Sequence, residues 1–227
     1  MFDPNRQANL NTGFGATGVT ARGTNLLDAV LGWLAVSLVL TAVGVYAALA
    51  LGLSLPWLVA LIVMIGLIFA INWAARSGNQ PLAAGLFFVF SISEGMFIAP
   101  VIAFYLSFNA AAIGNAVLGT AGVFVIAAAV VYISNRSFAS WGKYLLMALI
   151  VGIVLMIASI FLPISQLLIS GFLGIIFVGL TIFDFWRVKA ARPGDDNALL
   201  IAVSLYLDFI NIFLILLRIF GGGDNRR

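Results

Sequence analysis

The sequence predicts an all-α polytopic membrane protein with seven transmembrane helices, and three observations support this prediction. The 227 residues are 63% hydrophobic and only 8% charged, whereas an ordinary soluble domain has about a quarter charged residues. The mean hydropathy is +1.18. The apolar residues also form runs long enough to cross a bilayer, which takes about 20 residues each. Seven such helices with short loops fill the chain, so one membrane domain accounts for its length.

The first half of the chain is predicted to hold a tail and three spans. Residues 1–25 are rich in Gly, Asn and Thr without periodicity, which is typical of a flexible tail and not of a signal peptide. Span one covers about 26–52. Span two begins at Pro56-Trp57 and ends near Trp73, before a polar stretch. Span three covers about 81–106, and its internal Pro100 predicts a kink.

The second half is predicted to hold four more spans, separated by polar or Pro-containing breaks. These spans cover about 110–134, the residues after Lys143 to about 162, 167–189 and 197–220. Three consecutive glycines, Gly221 to Gly223, end the last helix, because glycine favours helix ends. The membrane domain is therefore predicted to cover 26–220, with a short polar tail at 221–227.

The distribution of Lys and Arg predicts the orientation in the membrane. Eight of the eleven basic residues fall on one side, in the N-terminal tail and the loops after the second, fourth and sixth spans: Arg6, Arg22, Arg76, Arg136, Lys143, Arg187, Lys189 and Arg192. The other side holds Arg218, Arg226 and Arg227. The N-terminus is therefore predicted to be cytoplasmic and the C-terminus outside. This pattern indicates loop retention rather than nucleic-acid binding.

Missing residue types exclude several classes of function. The chain has no Cys and no His, which excludes Ser-His or Cys-His nucleophilic sites, His-ligated haem and the usual zinc sites. A retinal receptor needs a lysine in the last helix, but the only lysines are Lys143 and Lys189. An intramembrane aspartyl protease has Gly-x-Gly before its second aspartate, whereas Leu205 to Leu207 precede Asp208 here. An enzyme is therefore not expected.

Three acidic residues lie well inside the apolar runs: Glu94, Asp184 and Asp208. A carboxylate within a membrane needs a partner or a proton, so each is a candidate functional residue, with helix-stabilising hydrogen bonding as the alternative. On a helix, Asp208 and other polar residues lie on one face, within an arc of roughly 80° around the helix axis, which is called the polar stripe here. The stripe comprises Asn197, Ser204, Asp208, Asn211 and Arg218. We expect it to face other helices rather than lipid.

Asp184 and Asp208 lie on consecutive spans and are candidates for a pair. Asp208 is about eleven residues into its span, which places it deeper than Asp184 by about 10 Å at 1.5 Å per residue. They meet only if span six projects further or span seven starts later than drawn. Two carboxylates in a dry site share a proton, and their ionised oxygens suit Ca²⁺. Arg76, after span two, is a candidate latch for the pair, with a plain positive-inside anchor as its alternative.

Glu94 is a further candidate, about halfway through span three. Gly95 follows it directly, and Pro100 frees a backbone carbonyl in the same helix. An acid, a glycine and a kink together suit a cation or proton route. The sequence therefore indicates Glu94 as a possible pathway acid.

The end of the chain resembles a known family. The run SLYLDFIN at Ser204–Asn211, continuing into LLRIFG at Leu216–Gly221, is similar to the C-terminal signature of the Bax inhibitor-1 family, the transmembrane Bax inhibitor motif proteins. The run GLTIFD at Gly179–Asp184 resembles the end of that family's sixth helix. The seven-span layout extends the resemblance over the chain after the tail. A bacterial member in the inner, or plasma, membrane is therefore expected.

The resemblance implies both a fold and a function. It implies six helices wrapped around a central seventh, and a pH-sensitive Ca²⁺ leak governed by an aspartate pair that maps onto Asp184 and Asp208. It also implies an arginine latch at the end of the second helix, for which Arg76 is the nearest match. No cofactor is implied beyond Ca²⁺ as a permeant or bound ion. The alternative function is a non-conducting regulator of membrane protein quality control that interacts with an FtsH-type protease.

The sequence departs from the family pattern beside the candidate site. Phe185 and Trp186 follow the sixth-helix aspartate, where the family usually has small or polar residues. Phe183 stands where family members often have Tyr, and the second span carries no acidic residue. These departures concern the gating and the ion selectivity rather than the fold.

Overall fold

A computed structural model describes residues 21–53, 56–134, 136–191 and 198–222, and these ranges contain seven α-helices and no β-strand. The helices are α1 Ala21–Leu51, α2 Trp57–Arg76, α3 Gln80–Phe108, α4 Ala110–Ile133, α5 Trp141–Ala158, α6 Gln166–Ala190 and α7 Ala198–Gly221. All seven are long and apolar enough to cross a membrane. These helices confirm the predicted all-α class with seven membrane-length helices. Such segments form helices because a helix satisfies all backbone hydrogen bonds within the segment, where lipid offers no partners.

The ends of the predicted N-terminal tail and of the predicted fifth span differ from the structure. Of the predicted tail at 1–25, residues 1–20 lie outside the described residues. Residues 21–25 belong to α1. Polar residues extend this helix because backbone hydrogen bonds do not require apolar side chains, and its apolar part starts at Leu26 as predicted. Helix α5 starts at Trp141 and ends at Ala158, both earlier than expected. Gly222 has a φ of 69° after α7, and residues 223–227 lie outside the described residues.

Helix α6 ends at Ala190, close to the predicted end at 189, and it includes two basic residues that the charge distribution had grouped with the following loop. Arg187 and Lys189 occupy its last turn, where cations are favoured by the helix dipole. The ammonium group of Lys189 donates hydrogen bonds to the backbone oxygens of Val131, at 2.7 Å, and Ser134, at 2.9 Å. Lys189 therefore joins α6 to the end of α4.

Helix α7 is the most buried of the seven. More than half of its apolar segment is buried, against about a third or less in the others. It contacts α1, α2, α3, α4 and α6, whereas α5 packs against α6 alone in the described part of the chain. Wrapping of α7 by all six other helices is therefore not shown. Five helices contact α7, whereas α5 lies outside this group.

Helices α1 and α3 approach each other closely at two glycines. A Cβ atom added to Gly44 would overlap the backbone oxygen of Ile92, and one added to Gly95 would overlap the backbone oxygen of Thr41. Small residues permit such backbone contact between membrane helices. Helix α3 continues through Pro100 without a break.

Candidate functional site

The two aspartates come together at the interface of α6 and α7. Asp184 and Asp208 are each 4% exposed. The hydroxyl of Thr181, one turn before Asp184 on α6, donates a hydrogen bond to Asp208 Oδ2 at 3.3 Å and to the backbone oxygen of Phe177 at 2.8 Å. Asp184 lies about one turn from Thr181 on the same helix, so both carboxyl groups are buried at the same interface of α6 and α7.

Thr181 explains how Asp184 and Asp208 share one interface although the sequence placed them at different depths in the membrane. Helix α6 runs to Ala190 and α7 starts at Ala198, so Thr181 and Asp208 lie at similar distances from these two ends. Asp184 lies about one turn nearer the end of α6, or about 5 Å along the axis. The threonine hydroxyl is thus level with Asp208, and Asp184 approaches it from one turn away.

Arg187 is the charged partner of Asp184. Its Nη1 lies 2.8 Å from Asp184 Oδ1, and the two residues are three apart on α6. The arginine side chain is 35% exposed and the aspartate side chain 6%, so the pair joins a buried carboxylate to the helix end. The sequence prediction missed this pair because it assigned Arg187 to a loop. The signal was present, since residues three apart on a helix are neighbours.

Three other predicted site residues, Arg76, Ser204 and Asn211, form no hydrogen bond or ion pair with these acids in the described part of the chain. Arg76 is exposed at the end of α2 and forms no ion pair within the described ranges, so its role as a latch stays a prediction. Ser204 donates to the backbone oxygen of Leu200 at 3.2 Å. Asn211 donates to that of Leu207 at 2.7 Å. These two residues of the stripe bond to their own helix and not to Asp208, while Asn197 lies outside the described residues.

An aromatic cluster lies beside the aspartate pair. Phe124 on α4 packs edge-on against Phe185, with ring centroids 5.9 Å apart, and against Phe209, at 5.4 Å. Phe185 follows Asp184 in sequence and Phe209 follows Asp208, and Phe185 is buried. The second unusual residue, Trp186, stacks on Phe183 of the same helix at 5.8 Å. The bulky residues that depart from the family pattern are thus packed in the helix interfaces.

A second polar cluster lies on the opposite side of α7. Tyr206 is fully buried, and its hydroxyl is 2.7 Å from the hydroxyl of Thr41 on α1. Thr41 also donates to the backbone oxygen of Ser37 at 2.9 Å. Phe87 and Phe90 on α3 pack edge-on against the ring of Tyr206, and Glu94 lies about one turn beyond Phe90 on the same helix. Glu94 itself is half-buried, so it borders this cluster and is not part of the Asp184–Asp208 pair.

The acidic residues of the described ranges do not by themselves form a metal site. No group of three or more His, Cys, Asp or Glu side chains that could hold a metal occurs among the described residues. Ca²⁺ takes six to eight oxygen ligands, so Asp184 and Asp208 would need water or backbone oxygens to complete its shell. The pair suits a hydrated or passing cation better than a fully enclosed one.

Comparisons with known proteins agree with the geometry. Residues 23–225 match the family described as Inhibitor of apoptosis-promoting Bax1. The chain is 35% identical to the inner membrane protein YbhL of Escherichia coli K12 over 87% of this chain and 90% of that protein. It is 32% identical to an uncharacterized protein of Chlamydia muridarum, over 87% and 91% of the two chains. It is also 29% identical to one of Borreliella burgdorferi, over 88% and 92%. None of these descriptions names an enzymatic activity.

Proposed function

This chain belongs to the Bax inhibitor-1 family, and on that premise we propose that it is a pH-sensitive cation leak channel with Ca²⁺ as the permeant ion. Its seven apolar helices and its likeness to an inner membrane protein make it an integral inner membrane protein. The observation that carries the proposal is the burial of two carboxyl groups, Asp184 and Asp208, at one helix interface inside the membrane domain. An intramembrane acid of this kind is costly and marks ion or proton pathways.

The two carboxyl groups differ in their partners, and this difference supports proton sensitivity. Asp184 is neutralised by the guanidinium group of Arg187. Asp208 has only the neutral hydroxyl of Thr181 as a hydrogen-bond donor. Since two nearby carboxylates in an apolar setting repel each other, the first proton binds readily and is shared by the pair, and the second binds in a separate step. A change in the protonation of Asp208 alters its hydrogen bond with Thr181, a polar contact between α6 and α7.

The proposed gate opens when protons reach the pair. In the ionised state, an arginine holds the carboxylates: Arg187 does so in this structure, and Arg76 is the predicted latch. Protonation removes the negative charge that attracts the arginine, so we expect a larger leak at pH 6 than at pH 8. The aromatic cluster of Phe124, Phe185 and Phe209 is the apolar barrier beside the pair.

The orientation is part of the proposal. The basic residues Arg76, Arg136 and Lys143 lie at the same end of the antiparallel helices as Arg187 and Lys189. We assign this end to the cytoplasm because basic loops are retained there. The aspartate pair then lies nearer the cytoplasmic end, with the N-terminus cytoplasmic and the C-terminus outside.

The test is Ca²⁺ flux into liposomes that contain the purified chain and a calcium-sensitive dye, measured between pH 6 and pH 8. We expect Asp208→Asn and Asp184→Asn to remove most of the pH dependence, because an amide does not titrate. Arg187→Gln and Arg76→Gln show which of the two arginines is the latch. Only the substitution of the arginine that holds the carboxylates is expected to raise the leak at pH 8. Asp28→Asn, at an exposed position of α1, is the matched control and keeps the pH dependence.

A non-conducting role is the second candidate function. Helix α5 has only Gly152 fully buried, and it exposes a row of apolar side chains that includes Leu146, Ile150, Val154 and Ile157. This surface suits contact with another membrane protein, such as the FtsH-type protease of membrane quality control. Absence of flux at every pH, or pH-dependent flux that both aspartate variants leave unchanged, would reject the channel mechanism and leave the regulator as the better proposal.

A further inference from the structure

An apolar groove opens on the lipid-facing surface between α4, α6 and α7. Its volume is about 320 Å³, and Val123, Gly171, Gly174, Ile212, Ile215 and Ile219 are among its lining residues. Ile175, which also lines it, is 76% exposed. The groove lies in membrane-spanning segments toward the end of the bundle where α7 ends. Ser170 is its one polar lining residue.

A cationic side chain lies at the mouth of this groove. Arg218 is exposed in the last turn of α7. Its Nη1 donates to Ser170 Oγ at 3.2 Å and to Gln166 Oε1 at 3.5 Å. Because Ser170 lines the groove, these hydrogen bonds hold the guanidinium group over the groove's polar corner. A guanidinium group has five N–H donors, and both hydrogen bonds use Nη1, so Nη2 and Nε remain available to a ligand.

The charge of Arg218 is not balanced by an acid in the described part of the chain. The one ion pair there joins Arg187 to Asp184, near the opposite end of α6. The partners of Arg218, a serine hydroxyl and an amide oxygen, are both neutral. A guanidinium group with neutral partners is complementary to an anion, and its planar fork suits phosphate oxygens.

We propose that Arg218 and the groove between α4, α6 and α7 bind one anionic phospholipid. The phosphate group lies on the guanidinium group of Arg218, and an acyl chain fills the groove. A soluble anion would use only the arginine and an apolar partner only the groove, whereas a phospholipid uses both at membrane depth. The site is separate from the aspartate pair, and its occupancy does not depend on whether the protein conducts.

The test is native mass spectrometry of the full-length protein in detergent with added palmitoyl-oleoyl-phosphatidylglycerol. The wild type is expected to retain one lipid, and Arg218→Gln to weaken this retention about tenfold through loss of charge-assisted hydrogen bonds. Gly171→Leu is expected to weaken it too, because a Cβ atom there meets no other atom within 4 Å and a leucine fills open groove space. Arg136→Gln removes an exposed arginine at the other end of the bundle and is expected to retain lipid as the wild type does.

Three results would overturn the proposal. The first is undiminished retention in Arg218→Gln or in Gly171→Leu. The second is an equal loss in Arg136→Gln, which indicates a general effect of charge. The third is equal retention of dioleoylglycerol, which has no phosphate. If Arg218→Gln gives no folded protein, Gly171→Leu and the dioleoylglycerol comparison decide the question.

Discussion

The two sides of α7 bury polar groups in different ways. Tyr206 and Asp208 are two residues apart, so their side chains point to nearly opposite sides of the helix. Tyr206 meets the neutral hydroxyl of Thr41, and the rings of Phe87 and Phe90 pack edge-on against it at 5.6 and 5.8 Å. Asp208 meets Thr181 and lies near the Asp184–Arg187 ion pair.

The difference separates a side that fixes the helix from a side that can change its charge. The hydroxyl groups on the Tyr206 side are neutral at physiological pH, and backbone contact between α1 and α3 at Gly44 and Gly95 lies beside them. On the Asp208 side, the net charge depends on how many protons the two carboxyl groups hold. The proposed gating is therefore expected to depend on the side of the acids, and the stability of the packing on the side of the tyrosine.

The largest expected effect is loss of the fold when the tyrosine side is forced apart. In Gly95→Val, the new side chain meets the backbone oxygen of Thr41, which cannot move without α1. We expect a loss of about 3 kcal/mol in the free energy of unfolding, since backbone shifts of this kind are costly. The loss is measured by thermal unfolding in detergent and by the yield of monodisperse protein.

Gly85→Val is the matched control on the same helix. A Cβ atom there meets nothing within 4 Å, so its stability is expected to equal that of the wild type. Equal stability of the Gly95 and Gly85 variants would show that the contact between α1 and α3 is not what holds this side together.

A smaller effect is expected when a ring is removed from the aromatic cluster beside Asp184 and Asp208. Phe185→Leu removes the ring that packs on Phe124, and we expect a leak several-fold larger at both pH 6 and pH 8, with about 1 kcal/mol lost in stability. Phe172→Leu changes an exposed ring on the same helix and is the control in the liposome flux measurement. Unchanged flux in Phe185→Leu would mean that the aromatic cluster is not the barrier.

The sequence predicted the spans and the important acids for clear physical reasons. Apolar runs of membrane length allow little besides helices, and a carboxylate inside such a run, as at Asp184 or Asp208, stands out at once. The meeting of these two residues remained open, because the predicted ends of α6 and α7 placed them about 10 Å apart in depth. The structure ends α6 at Ala190, one residue after the predicted end, and Arg187, which had been counted with the following loop, lies in this helix one turn from Asp184.

Contacts between distant parts of the chain could not be predicted in this way. The hydrogen bond between Thr41 and Tyr206 joins residues 165 positions apart. Each residue alone looks like an ordinary membrane-helix side chain. The same holds for Gly44 and Gly95, whose small size matters only because the other helix is there. Hydropathy gives the length of a helix, whereas its neighbours depend on the packing of the whole bundle.

The smallest expected effect tests the comparison most directly. Tyr206→Phe removes only the hydroxyl that bonds to Thr41, while Thr41 keeps its bond to the backbone of Ser37. Interhelical hydrogen bonds in membranes contribute about 0.6 kcal/mol, so we expect a loss of that size in unfolding and an unchanged pH dependence of Ca²⁺ flux. Tyr46→Phe, at an exposed position of α1, is the control and should leave both unchanged.

Asp208→Asn should give the reverse result, with flux that no longer responds to pH and stability that stays near the wild-type value, because the amide oxygen still accepts from Thr181. If Tyr206→Phe flattens the pH response as strongly as Asp208→Asn does, the two sides of α7 act together. In that case we propose Glu94, which lies about one turn beyond Phe90 on α3, as the acid that makes the tyrosine side respond to protons.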